Sequence, residues 1–260
     1  AVREPEQSRD HTERMLELDK DDQGWIQTSS LTPCQAITFT VPKDPSAATF
    51  WAVLSAIHNH VEIKAPGVGR NPTRVHVFKV LQRMGAQIEW DEVGRSDPKR
   101  HVPKVEPQGS LMMQSLQSGH TLKPLVLSGD QIPGVIDEIP ALMVAMAFAD
   151  GVSEIRDASE LRIKETDRIA AMASVLNAAG VSCQEKPDGM VIHGHPDFCP
   201  KPFHVDAGHD HRIAMAAAIL ASCTDPKEAA SVIKGGSCAS ISYPTFYQDL
   251  SRLQNGPQAP

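Results

Sequence analysis

Asp210-His211-Arg212-Ile213-Ala214-Met215-Ala216-Ala217-Ala218-Ile219-Leu220 opens on three polar or charged residues and then runs to Leu220 without another. Alanine, leucine and methionine favour helix, and an Asp in front of such a run is a good N-cap. A helix that is apolar all round has no face to offer water, so it belongs inside a domain. Its charged start must then stand where the buried helix reaches a surface.

The same layout occurs twice upstream. Asp44-Pro45-Ser46 opens an apolar run through Ala48, Phe50, Trp51, Val53, Leu54 and Ile57. Val61 to Ile63 reads as a strand, a second helix begins at Asn71-Pro72-Thr73 and ends at Gly85, and Gln87 to Trp90 reads as a strand. In the middle of the chain, Asp137-Glu138-Ile139-Pro140 opens an apolar helix that closes near Gly151. Ser153 to Arg156 reads as a strand, and Lys164-Glu165-Thr166 begins a second helix that ends at Gly180. The spacing from Asp44 to Thr73 equals that from Asp137 to Thr166. The Asp210 helix starts a fainter third copy, completed by a last helix from Ser242-Tyr243-Pro244-Thr245 to Leu253. Gly85 and Gly180 stand where a left-handed residue closes a helix. The pattern predicts a repeated α/β architecture, with each unit's first helix central and its strands outside.

Two regions depart from it. Residues 91–120 are rich in Pro, Gly, Ser and charge, and predict an exposed excursion within the domain that holds a hairpin edge. The first 42 residues are acid-rich at the start and then carry a strand-like run, Ala36 to Val41, which places a boundary near 42–44.

Composition excludes several functions. At 260 residues, 41% hydrophobic and 22% charged, the chain is ordinary globular material. No stretch approaches the roughly 18–20 apolar residues of a membrane-spanning helix, and no signal-peptide layout opens the chain. Lys and Arg number 25 against 32 Asp and Glu, a net charge of -7, which argues against nucleic acid as partner. Small anionic substrates stay open, since a few converging cations suffice locally. Cys34, Cys183, Cys199, Cys223 and Cys238 have no C-x-x-C spacing, so reduced thiols in a cytoplasmic compartment are expected. His204, His209 and His211, interleaved with Asp206 and Asp210, are the only metal candidates. Histidines two apart diverge on a helix, so no metal is expected and a metal-dependent hydrolase ranks low.

Three charged clusters stand at corresponding helix starts: Asp137-Glu138, Lys164-Glu165-Thr166-Asp167-Arg168 and Asp210-His211-Arg212. Helix starts present unpaired N–H groups and favour anions. If the repeats converge, these clusters surround one small anionic ligand, which arginine forks would grip through paired hydrogen bonds. A bland reading stands beside this one. Asp137 and Asp210 serve as N-caps, and residues 164–168 form a solvated ion-pair cluster. Arg212 fits the bland reading poorly, because an arginine at a helix N-terminus opposes the dipole.

G-D-Q-I-P-G-V-I-D-E-I-P, R-I-K-E-T-D-R-I and D-H-R-I-A-M, in this order, resemble the carboxy-terminal half of the 5-enolpyruvylshikimate-3-phosphate synthase family (3-phosphoshikimate 1-carboxyvinyltransferases). R-E-P-E-Q-S-R-D-H-T near the start resembles its glyphosate-tolerant bacterial branch, and N-P-T-R followed by L-Q-R-M-G-A fits the same family. The resemblance covers about residues 2 to 253. It implies an inside-out α/β barrel of repeated βαβαββ-type units, the enolpyruvyl transferase fold, present here in part. Residues 1–42 would be the tail of a first domain and 43–255 a second domain. The implied reaction moves the enolpyruvyl group of phosphoenolpyruvate onto the 5-hydroxyl of shikimate 3-phosphate, within the shikimate route to chorismate and aromatic amino acids, without cofactor. It would run in the cytoplasm, in an enzyme that is a monomer when complete.

The resemblance also implies roles. Asp137 would be the base on the 5-hydroxyl, and Glu165 with Lys164 would handle the proton at the phosphoenolpyruvate methylene. Arg168, Arg212 and His211 would hold phosphoenolpyruvate. Ser8, Arg9, Asp137 and Lys164 would hold shikimate 3-phosphate. Two departures stand out. Ile241 replaces a lysine common in the family, and the family's amino-terminal lysine–serine–arginine motif, N-A-G-T loop and Ser-Ser-Gln segment have no counterpart. The expectation is therefore a carboxy-terminal portion that needs the missing amino-terminal half for turnover. The rivals are a non-catalytic binding or assembly fragment of the same fold and, lower, a UDP-N-acetylglucosamine enolpyruvyl transferase.

Overall fold

The computed structural model describes residues 1–4, 9–16, 18–29, 40–91 and 106–255. In chain order the elements are α1 (His11–Met15), α2 (Pro45–Ile57), β1 (Glu62–Gly69), α3 (His76–Met84), β2 (Gln87–Trp90), β3 (Gln108–Gln114), β4 (Val126–Leu127) and α4 (Ile139–Ala147). There follow β5 (Gly151–Ile155), α5 (Arg168–Ala179), β6 (Ser182–Lys186), β7 (Gly189–Gly194), β8 (His204–Asp206), α6 (His211–Ala221), β9 (Val232–Lys234) and α7 (Phe246–Asn255).

The apolar helices decide the architecture. Every residue of α4 is buried, as are Ile213 through Leu220 of α6 and most of α2. With no polar face to show, α2, α4 and α6 pack on one another at the centre. Three sheets flank them: antiparallel β1-β3-β2, mixed β4-β5-β7-β6, and the parallel pair β8-β9. Outer elements bury one face only. In β2, Ile88 is buried between exposed Gln87 and Glu89, and α3 turns Val77, Phe78, Val80, Leu81 and Met84 inward. Each such side chain stabilises by roughly 1.5–3 kcal/mol through burial. The helices inside and sheets outside match the repeated α/β pattern read from the spacing.

Helix ends follow local chemistry. Asp44 caps α2 by accepting from Ser46 N at 3.0 Å. Gly85 and Gly180 close α3 and α5 with φ of 104° and 97°, conformations that suit glycine.

Three expectations need correction. The second helices begin at His76 and Arg168 rather than at Thr73 and Thr166. Asn71 Oδ1 accepts from Thr73 N at 2.9 Å and Thr73 Oγ1 at 2.8 Å, which spends those residues on a turn, and Asp167 is the cap of α5. The strand expected at Val61 to Ile63 continues to Gly69, with a register shift between Ala65 and Val68 where Pro66 and Gly67 sit. Finally, β3 lies inside the segment read as an exposed excursion. It is the middle strand of its sheet, with Leu111 and Met113 buried, so it is not a hairpin edge. Residues 92–105 of that segment, and 36–39 of the strand-like run before Pro42, lie outside the described residues.

Candidate active site

The starts of α4, α5 and α6 meet at one end of the buried helix trio. Asp210 is fully buried and caps α6, accepting from Arg212 N at 2.9 Å and Ile213 N at 3.4 Å. Its second oxygen accepts from Arg168 Nε at 2.8 Å and Thr166 Oγ1 at 3.2 Å. Arg168, the first residue of α5, is only 1% exposed. Its Nη2 donates to Glu165 Oε2 at 2.6 Å. Nη1 lies 3.6 Å from Asp137 Oδ1 and, among the described residues, is buried with no hydrogen-bond partner. Buried guanidinium nitrogens are ordinarily satisfied, so an unmet one beside the Asp137 carboxylate leaves a donor that an anionic acceptor can take.

Asp137 behaves differently from Asp210. The cap position of α4 falls on Glu138, and no side chain caps that helix. The Asp137 carboxylate instead pairs with Arg9 and lies 3.6 Å from Arg212 Nη2, while its carbonyl accepts from Arg212 Nη1 at 2.9 Å. Capping therefore accounts for Asp210 and not for Asp137. Burial raises the Asp137 carboxyl, but Arg212, Arg9, Lys164 and Arg168 together outweigh it and hold the group below its ordinary value.

Lys164 follows the short helical turn Ser159–Ile163 and pairs with Glu160 at the rim. Glu165 is half-exposed beyond Arg168. His211, the first residue of α6, has its imidazole pushed below the usual range by burial and then by neighbouring Arg212. So Arg9, Asp137, Lys164, Glu165, Arg168, His211 and Arg212 come together as read from sequence, while Ser8 lies outside the described residues.

His204 and His209 are exposed, and among the described residues no group of three or more His, Cys, Asp or Glu is placed to hold a metal. Among those residues, too, no helix is long and apolar enough to cross a membrane. Cys183, Cys199, Cys223 and Cys238 are free thiols.

Sequence reading missed two supports. Asn71 Nδ2 donates to Asp10 Oδ1 at 2.7 Å and Glu106 Oε2 at 3.0 Å, and His11 pairs with Glu106 at 2.7 Å. This set fastens the segment that carries Arg9. Behind the cluster, buried Glu138 joins Ser46 and Arg74. Asn71 and Arg74 both stand in N-P-T-R, which was the available signal.

Three repeats with buried helices, and Arg168 and Arg212 at the starts of α5 and α6, fit an enolpyruvyl transferase fold. The structure superimposes on the enolpyruvyl transferase NikO from Streptomyces tendae with a TM-score of 0.62 at 17% identity, over 83% of this chain and 44% of that one. The chain belongs to the EPSP synthase (3-phosphoshikimate 1-carboxyvinyltransferase) family, whose profile matches residues 1–250. It is 40% identical over 260 residues to the 3-phosphoshikimate 1-carboxyvinyltransferase of Synechococcus sp. (strain JA-3-3Ab), covering 98% of this chain and 55% of that protein. The same-named protein of Chloroflexus aurantiacus (strain ATCC 29366 / DSM 635 / J-10-fl) is 42% identical over 254 residues, covering 95% and 55%. Among solved structures, EPSP synthase from Acinetobacter baumannii gives a TM-score of 0.81 at 34% identity, covering 97% of this chain and 56% of that one. The chain thus spans about 55% of the length of the curated relatives it matches.

Proposed function

We propose that this chain carries the acid–base and phosphoenolpyruvate-binding part of a 3-phosphoshikimate 1-carboxyvinyltransferase, and that the rest of the relatives' length completes the site. The observation that carries this reading is Asp137. It sits at the start of a buried helix, does not cap it, and faces Arg9, Arg168 and Arg212.

In this reading Arg168 and Arg212 grip the carboxylate and phosphate of phosphoenolpyruvate, with His211 lining the same helix start. Ser8, Arg9 and Lys164 hold shikimate 3-phosphate. Asp137 takes the proton of the 5-hydroxyl as its oxygen bonds to the central carbon of phosphoenolpyruvate, and Glu165 beside Lys164 delivers a proton to the methylene. A tetrahedral adduct results. Loss of phosphate, which leaves with the proton held by Asp137, and return of a methyl proton to Glu165 give the enol ether and restore both carboxyl groups. Fixed cations suit this sequence because charge redistributes around two polyanions that must be held together. The low resting basicity of Asp137 fits as well. Anions bound to Arg168 and Arg212 offset the positive field that holds its carboxyl down, so its basicity rises when both substrates are present. In this reading residues 1–42 are the tail of the first domain and 43–255 the second, with the junction near 42–44.

The test mixes this chain with the amino-terminal portion of the Synechococcus relative, the part it does not span, and follows phosphate release from phosphoenolpyruvate and shikimate 3-phosphate. Release is expected from the mixture and from neither part alone. Turnover by the isolated chain, or none from a folded mixture, contradicts the reading.

A further inference from the structure

The chemistry above leaves Glu138 of Asp137-Glu138, and Arg74 of Asn71-Pro72-Thr73-Arg74, without a role. The fold brings these two together although they come from different repeats. Glu138 is 4% exposed, and its Oε1 accepts from Ser46 Oγ, on α2, at 2.5 Å. Arg74 Nη2 donates to the same Ser46 Oγ at 2.6 Å, reaches Asp44 Oδ1 at 3.3 Å and lies 3.7 Å from Glu138 Oε1.

Stability alone does not explain an acid here. Burial pushes the Glu138 carboxyl above its usual value despite Arg74 and Ser46, so the ionised form stands at a cost. A buried ion pair of this kind is commonly matched or bettered by apolar side chains of similar volume. Nor does Glu138 cap α4, although it occupies the cap position. Its side chain instead ties the α4 start to the α2 start. Its backbone is fixed at both ends, N–H to Val135 O at 2.9 Å and C=O from Leu142 N at 3.0 Å. The peptide so immobilised is the one whose other side is Asp137, and the Asp137 carbonyl is the acceptor for Arg212 Nη1 at 2.9 Å.

We propose that Glu138, clamped by Ser46 and Arg74, is a positioning residue that aims the Asp137 carboxylate and carbonyl at the arginine cluster. The proposal rests on the reaction assigned above and concerns geometry one residue away from it. Glu138 itself touches no substrate. Misplacing a reacting group by about 1 Å costs on the order of 10²-fold in rate.

Two readouts decide it. The Arg212 guanidinium signal in ¹⁵N–¹H spectra of the chain, assigned by its loss in Arg212→Lys, reports the bond to Asp137. In Glu138→Ala this signal is expected to shift or broaden, and in the complemented enzyme kcat is expected to fall about 10- to 100-fold with KM for both substrates within about threefold. Glu138→Gln, which still accepts from Ser46, is expected to recover part of both. Should Glu138→Ala fail to fold, Arg74→Met with Glu138→Leu removes both buried charges together, with the same expectation for signal and rate. An unmoved Arg212 signal overturns the proposal, as does unchanged kcat in a variant whose signal has moved. Absence of turnover in the unsubstituted mixture counts against the assigned reaction only, and the Arg212 signal then decides alone.

Discussion

Asp137 and Asp210 open two buried helices and look alike in sequence, yet the fold uses them differently. Asp210 is fully buried, caps α6 and anchors Arg168. Asp137 leaves its helix uncapped and meets cations from α5, from α6 and from the segment before α1. An aspartate whose oxygens are filled by the fold is structural. One held ionised among arginines, with Arg168 Nη1 left without a hydrogen-bond partner among the described residues, is the one proposed to act in chemistry.

This contrast is open to attack by substitution. The largest effect is expected for Asp137→Ala in the complemented enzyme, where turnover should fall by roughly 10²–10⁴-fold, the usual contribution of a general base. Its unfolding free energy in urea should change less than that of Asp210→Ala. Near-normal turnover would mean that the proton goes elsewhere.

Asp210→Ala should do the converse. It removes a cap worth about 1 kcal/mol and breaks a buried pair, for which about 3–5 kcal/mol is typical, as urea unfolding would register. A loss below about 1 kcal/mol would show that Arg168 finds another partner without cost.

The smallest effect is in pH dependence. The Asp137 carboxyl lies below its ordinary value in the folded chain. Its contribution to stability is therefore present above the ordinary carboxylate range and is lost as pH falls through the lowered folded value. Thermal unfolding of Asp137→Asn should accordingly be less pH-dependent than that of the unsubstituted chain across that acid window, and the two should converge below it. Parallel curves would mean that the carboxylate gains nothing from the cluster.

Much of this was readable in advance, because burial leaves periodic traces. The all-apolar run Ile213–Leu220 could only be central, and equal spacings exposed the repeats. Gln87–Trp90 was bounded correctly because Gly85 and the alternation around Ile88 mark both ends. Clustering of Asp137, Arg168 and Arg212 followed from repeat convergence. Other features were hidden for physical reasons. Strand β3 alternates Gln108, Ser110 and Gln114 with only Leu111 and Met113 buried, a pattern lost within a polar stretch. Which aspartate caps depends on where backbone N–H groups point, and spacing does not encode that. The Glu138–Ser46–Arg74 contact joins residues that are near only after two repeats have packed.

The central claim is that Asp137 is kept free of helix capping to act on a substrate hydroxyl. A crystal structure of this chain joined by the amino-terminal portion of a relative, soaked with shikimate 3-phosphate and a phosphoenolpyruvate analogue, tests it most directly. The account predicts the 5-hydroxyl within hydrogen-bond reach of an Asp137 carboxylate oxygen, and an analogue oxygen accepting from Arg168 Nη1. A 5-hydroxyl beyond that reach, with Asp137 still paired only to arginines, would contradict it.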